Sequence, residues 1–103
     1  MNDKQFVDAV VERKKDLIIG VSDAIWGFAE LPYAEYQSAK LLCDTLRAEG
    51  FAVVEGVAEM PTSFTGTYTH GQGGLVMGFL GEFDALDILS QEAGNPVKCP
   101  VKE

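Results

Sequence analysis

Positive charge, histidine and cysteine are scarce in this sequence, and each scarcity removes a class of function. Only 8 Lys and Arg residues stand against 16 Asp and Glu, a net charge of -8, and no basic cluster interrupts the acidic balance. Such a surface repels a phosphate backbone, so nucleic acid is not expected as a partner. His70 is the only histidine, and Cys43 and Cys99 are the only cysteines. A catalytic zinc site draws three protein ligands from His, Cys and carboxylate around an open position, and no complete nitrogen and sulfur site can be assembled from this inventory. The cysteines have neither CxxC spacing nor the density of a disulfide scaffold, so free thiols in a reducing, cytoplasmic setting are expected. No apolar run approaches the ~20 residues that span a membrane. The charged, amphipathic opening MNDKQFVDAVVERKK is unlike a secretory signal. Gly71 to Gly74 lacks the Lys-Ser/Thr of a phosphate loop and leads into a predicted strand instead of a helix.

What is present is apolar residue in helical and strand periods. With 103 residues, 47% of them hydrophobic, the chain is expected to be one domain, 1–103. Phe6, Val10, Leu17, Val21, Ile25 and Phe28 recur at helical steps and predict a helix from Asn2 to about Phe28, with a bend or restart near Gly20, Ser22 and Asp23. Pro32 interrupts the pattern, and a second helix is predicted over Tyr33 to Glu49 with a stripe of Tyr36, Ala39, Leu42, Cys43 and Leu46, closed by Gly50. Phe51 to Val57 and Thr62 to His70 read as strands. The glycine-rich stretch from His70 to Gly74 suits a hairpin into a third strand, Leu75 to Leu80. ALDILSQEAG predicts a short helical turn and NPVKCPVKE an extended tail. The expectation is therefore an α/β fold: residues 1–50 helical, 51–86 in three strands of a mixed sheet, and 87–103 a turn and tail.

The stretch LVMGFLGEFDALD raises the functional question. Leu75 to Leu80 is apolar on both faces, as expected of a strand covered by helices above and below, and it ends abruptly in Gly81 followed by Glu82 and Asp84. Ligands collect at the carboxyl ends of strands in open α/β sheets. With strand geometry through Phe83, both acids point to one face, ~6.6 Å apart along the backbone. Two charges at that spacing repel by ~2.5 kcal/mol at an effective dielectric of ~20, which water, a cation, a donor network or a raised pKa must relieve. From spacing alone, a solvated turn or an N-cap for the segment that follows is the commoner explanation of such a pair. His70 lies ~20 Å of strand away and reads as a turn residue. Cys43 falls on the apolar stripe of the second helix, Cys99 on the tail, and Glu30, Tyr33 and Glu35 in helix-turn chemistry.

IWGFAELPYAEYQSAKLL, then GF, GVAEMPTSFTGTYTHG and GEFDALDILSQEAG, in unbroken order from about Ser22 to Gly94, resemble the start of the metal-dependent amidohydrolase and aminoacylase/carboxypeptidase family, in its aminobenzoyl-glutamate hydrolase branch. The resemblance implies a partial zinc-peptidase-like, three-layer α/β/α catalytic domain that cleaves amide bonds of N-acyl or N-aminobenzoyl amino acids, or of dipeptides, with zinc or manganese. It implies that Asp84 matches a strand-end aspartate that supports a metal-binding side chain, and that Glu82 stands where many relatives place a metal-binding histidine. The family's later Gly-His-Gly-Cys-Gly-His segment, its paired glutamates and its distal histidines are absent from these 103 residues. Three readings follow. The chain is the N-terminal portion of such an enzyme, inactive and without bound metal by itself; or it is a non-catalytic interaction module that retains the fold core; or it binds a cation weakly through Glu82 and Asp84. Homo-oligomers are expected in each case from the uncovered third strand.

Overall fold

The structure, a computed structural model, describes residues 1–101. The first helix, α1 (Asp3–Phe28), starts in a reciprocal cap: the Gln5 amide donates to the Asn2 side chain at 2.8 Å and the Asn2 amide donates to the Gln5 side chain at 3.0 Å. It then runs 26 residues without the expected bend at Gly20. A glycine in a helix interior costs ~1 kcal/mol, and the continuous ladder on both sides outweighs it, so Ser22 and Asp23 stay in mid-helix instead of capping a new one. Ala29 closes α1 in a left-handed conformation. Half-buried Val10, Lys14, Val21, Ile25 and Phe28 form the packed stripe, and α1 lies against the second helix along it. Phe6 and Leu17 of the expected stripe, with Val7, Val11 and Ile18 beside it, remain exposed.

The second helix, α2 (Tyr36–Ala48), begins three residues later than Tyr33. The reason is local: the Ala34 amide donates to the Leu31 carbonyl at 2.9 Å, and the turn so closed places Tyr33 at φ 67, outside helical geometry. From the expected stripe, Ala39 and Cys43 are buried and Leu42 and Leu46 half-buried, but Tyr36 is exposed. The helix ends as its glycine foretold. The Phe51 amide donates to the Leu46 carbonyl at 2.9 Å and the Gly50 amide to the Arg47 carbonyl at 3.0 Å, a Schellman pair with Gly50 at φ 93. Phe51 is thereby folded back onto Tyr68, ring centroids 5.3 Å apart.

Two strands, β1 (Ala52–Glu55) and β2 (Phe64–Thr67), pair antiparallel with Ala52 opposite Thr67 and Glu55 opposite Phe64. Both are shorter than the predicted runs, Phe51 to Val57 and Thr62 to His70, because the Gly56 amide donates to the Ser63 carbonyl at 2.8 Å and closes the ladder into a turn through Val57–Glu59. α2 packs on both strands, and Gly66 permits the approach: a Cβ there would stand 3.0 Å from Leu46 Cδ1 and 3.7 Å from Phe51 Cδ2. Ionic contacts tie the same elements together, Lys14 to Glu49 at 2.6 Å and Arg47 to Glu55 at 2.8 Å, each worth ~0.2–1 kcal/mol at such exposure.

The expected third strand does not form. Among the described residues the sheet has two strands, antiparallel and not mixed, and Leu75, Val76, Met77, Phe79 and Leu80 are 94, 99, 76, 93 and 96% exposed. A strand apolar on both faces needs a layer on each, and among the described residues Leu75 to Leu80 has neither, while helix α2 packs on the β1–β2 hairpin. The hairpin into it is correspondingly absent: residues 71–74 make bends with Gly71, Gly73 and Gly74 at positive φ. Nor does ALDILSQEAG form a helical turn. It holds two isolated turns, and the Ile88 amide bonds the Asp87 side chain instead of starting a ladder. The tail is not free: the Glu92 amide donates to the Cys99 carbonyl at 2.8 Å, and Gln91 donates to the Asn95 and Val97 carbonyls. The last two residues of the predicted tail, 102–103, lie outside the described residues. The radius of gyration, 16.5 Å, exceeds the ~13 Å of a closed domain of this length, consistent with apolar segments that pack on nothing.

Two glycines separate helix entropy from backbone necessity. Gly20→Ala, helical and with nothing near its added Cβ, is expected to stabilise the chain by ~1 kcal/mol, and Gly50→Ala, at φ 93, to destabilise it by ~1–2 kcal/mol. Urea unfolding followed by circular dichroism checks both signs.

Candidate functional site

The chain from Gly81 to Ala85 is held at two points. Phe83 packs on Phe64 of β2 with ring centroids 5.8 Å apart, and the Ala85 amide donates to the Glu30 carbonyl at 2.7 Å. Exposure alternates along it: Glu82 and Asp84 are exposed, Phe83 and Ala85 half-buried. This is the period of extended backbone, and it puts the two acids on the face opposite the Phe83 anchor.

Glu30 is the pivot of the arrangement. Its backbone carbonyl holds Ala85, and its carboxylate accepts from the amides of Gln37 at 2.9 Å and Ser38 at 2.7 Å, in the first turn of α2. The helix cap thus comes from a residue upstream of the N-cap position, since Glu35 makes no side-chain cap. Partial burial works against the charge on Glu30, but the amides of Gln37 and Ser38 outweigh it and hold the carboxyl below the ordinary glutamate range.

Glu82 and Asp84 border a shallow cleft of about 290 Å³ whose other walls are Pro32, Tyr33 and Glu35 before α2 and Met60, Thr62 and Ser63 before β2. Sequence reasoning assigned Tyr33 and Glu35 to turn chemistry and gave Thr62 only to a strand. Two turns bring them to the cleft, the one closed by Leu31 and Ala34 and the β1–β2 turn, where Ala58 and Glu59 both have positive φ, a pattern with no alanine or glutamate signature. Thr62 is 5% exposed, and its hydroxyl lies 3.4 Å from Glu35 Oε2, while the other Glu35 oxygen is buried without a partner.

The chemistry available is limited. A general base has to stand about 2.6–3.2 Å from the proton it takes, and the Thr62 to Glu35 distance falls outside that reach. Among the described residues no three His, Cys, Asp or Glu side chains come together in a way that could hold a metal ion, so the residues present do not fit a resident zinc or manganese ion. His70 sits exposed beside the glycine-rich bends and lines no wall of the cleft. Cys43 is buried in the core, where burial raises its thiol pKa. The Cys99 thiol donates to Glu92 at 3.0 Å; that bond, with burial, raises the thiol pKa, and the same bond, together with one from Asn95, lowers that of Glu92 against the effect of burial. None of the helices among the described residues is long and apolar enough to cross a membrane.

Comparison with known proteins agrees with the sequence motifs. The chain is 37% identical over 90 residues to a p-aminobenzoyl-glutamate hydrolase polypeptide of Escherichia coli, one that is named as a component of a multi-subunit enzyme, covering 87% of this chain and 18% of that protein. It is 35% identical over 78 residues to thermostable carboxypeptidases 1 and 2 of Saccharolobus solfataricus, covering 76% of this chain and 20% of each. The chain therefore spans about a fifth of the length of the curated relatives it matches. No family model matches it, and no solved structure matches it. The resemblance to the aminobenzoyl-glutamate hydrolase and carboxypeptidase family, read from the motifs between Ser22 and Gly94, is shown by these similarities.

The Glu30 cap carries a pH signature. Because its folded pKa is depressed, its contribution is fully present above the unfolded value of ~4.3 and is lost as pH falls through the lower folded value. Glu30→Gln is accordingly expected to lower the urea midpoint at neutral pH, with the difference from the parent chain shrinking steadily below about pH 4. A difference independent of pH would show that the charge plays no part.

Proposed function

We propose that this chain supplies the N-terminal part of the catalytic α/β domain of a metal-dependent amidohydrolase. The substrates of the complete enzyme are N-acyl or N-aminobenzoyl amino acids, or dipeptides, and the isolated chain does not hydrolyse them. The observation that carries the reading is the match of 87% of this chain to 18% of a named hydrolase. The exposed Leu75 to Leu80 segment supports it, since an apolar strand without neighbours is what remains when the flanking strands and the second helical layer belong to other residues. In the complete three-layer α/β/α domain this segment is the third strand of a mixed sheet. Asp84 is then a positioning carboxylate at its end, and Glu82 a weaker candidate metal ligand beside it. The proposed setting is cytoplasmic, in keeping with two free thiols.

The exposed apolar segment Leu75 to Leu80 also favours a second reading, a non-catalytic module that pairs with another polypeptide and never takes part in hydrolysis. A graft separates the two. The 90 matched residues, placed in the corresponding segment of the E. coli p-aminobenzoyl-glutamate hydrolase polypeptide and assembled into that enzyme, are expected to preserve hydrolysis of p-aminobenzoyl-glutamate. Within the graft Asp84→Asn lowers kcat/KM by about 10–100-fold, the usual cost of losing a carboxylate that orients a metal ligand. The free chain shows no hydrolysis with zinc or manganese added. A folded, assembled but inactive graft would favour the module, and hydrolysis by the free chain would overturn its proposed inactivity.

A further inference from the structure

Gly71 to Gly81 carries no charged side chain, and its central part nearly mirrors itself: Gly74 and Leu75 at one end match Leu80 and Gly81 at the other. We propose that Leu75 to Leu80 is a self-pairing strand through which two copies of this chain form an antiparallel, two-fold dimer. The pairing is a property of the chain as it stands and does not depend on the hydrolase reading.

The segment offers unpaired backbone on both edges, and its side chains are almost fully exposed, so a second copy meets no steric obstacle. A two-fold axis between Met77 and Gly78 sets Leu75 opposite Leu80 and Val76 opposite Phe79, a favourable pairing of aromatic with β-branched residue. Met77 then faces Gly78 of the other copy, which has no Cβ to crowd it. Charge selects this direction of pairing. In the antiparallel register Glu82 and Asp84 of each copy follow Leu80 and face the uncharged glycine-rich bends before Leu75 of the other, so the acids of the two copies lie at opposite ends of the ladder. A parallel, in-register stack would instead set Glu82 on Glu82 and Asp84 on Asp84, like charges directly opposed. The two-fold contact occupies one edge of each copy, and a net charge of -8 per copy opposes growth at the other edge.

Sedimentation velocity of the full chain across a concentration series tests the proposal. A monomer–dimer equilibrium is expected, tightening with added salt as repulsion between the acidic copies is screened. Val76→Lys and Phe79→Lys, made singly, are each expected to weaken dimerisation about tenfold or more with unchanged far-ultraviolet circular dichroism, because neither side chain is packed in the chain. In a Cys99→Ser background, a mixture of Val76→Cys and Phe79→Cys chains forms an oxidised cross-linked dimer that neither forms alone. A monomer at every concentration, association indifferent to both lysines, or cross-linking of Val76→Cys with itself would overturn the proposal.

Discussion

A strand that is apolar on both faces has to be covered on both, and this single requirement organises the molecule. Helix α2 lies on the β1–β2 hairpin through Leu46, Phe51 and the bare backbone of Gly66, which gives that hairpin one layer. Among the described residues no helix covers Leu75 to Leu80, so its hydrophobic side chains stand in water. Burying one such side chain is worth about 1.5–3 kcal/mol, and five left exposed amount to a driving force comparable with the whole stability of a small domain. The rest of a longer enzyme can draw on that force by adding strands and a helical layer, and a second copy can draw on part of it by adding one paired strand.

The acidic strand end depends on the same geometry but is fixed independently. Phe83 on Phe64 and the Ala85 amide on the Glu30 carbonyl clip the segment beyond the unpaired strand, so Glu82 and Asp84 keep a defined face even where their strand has no ladder. Glu30 joins this clip to the start of α2, and the exposure of the acids shows why the pair is tolerated: water relieves the repulsion that enclosure would make costly. What the cleft lacks is a convergent set of donors. Glu35, Thr62, Glu82 and Asp84 are placed along one shallow wall.

Local signals in the sequence were legible where local chemistry decides. The helical span of α1, the Schellman closure at Gly50 and the strand character near Phe64 follow from periodicity and one glycine. The structure departs where a neighbour decides instead: Gly20 failed to break α1 because the ladder on either side continued, and Tyr33 was drawn into a left-handed turn by Leu31 and Ala34. Leu75 to Leu80 has strand composition but no strand, because pairing is not written in one segment. The cap from Glu30 and the placing of Glu35 and Thr62 in one cleft were invisible for the same reason, each being set by contacts between elements distant in the chain.

The central claim is that Leu75 to Leu80 is an interior strand whose neighbours belong to other residues. Amide hydrogen exchange of this segment measures it most directly, in the dilute isolated chain and again in the active hydrolase graft. The account predicts unprotected amides across these residues in the first and slow exchange, comparable with β1 and β2, in the second. Fast exchange in a fully active graft would contradict it.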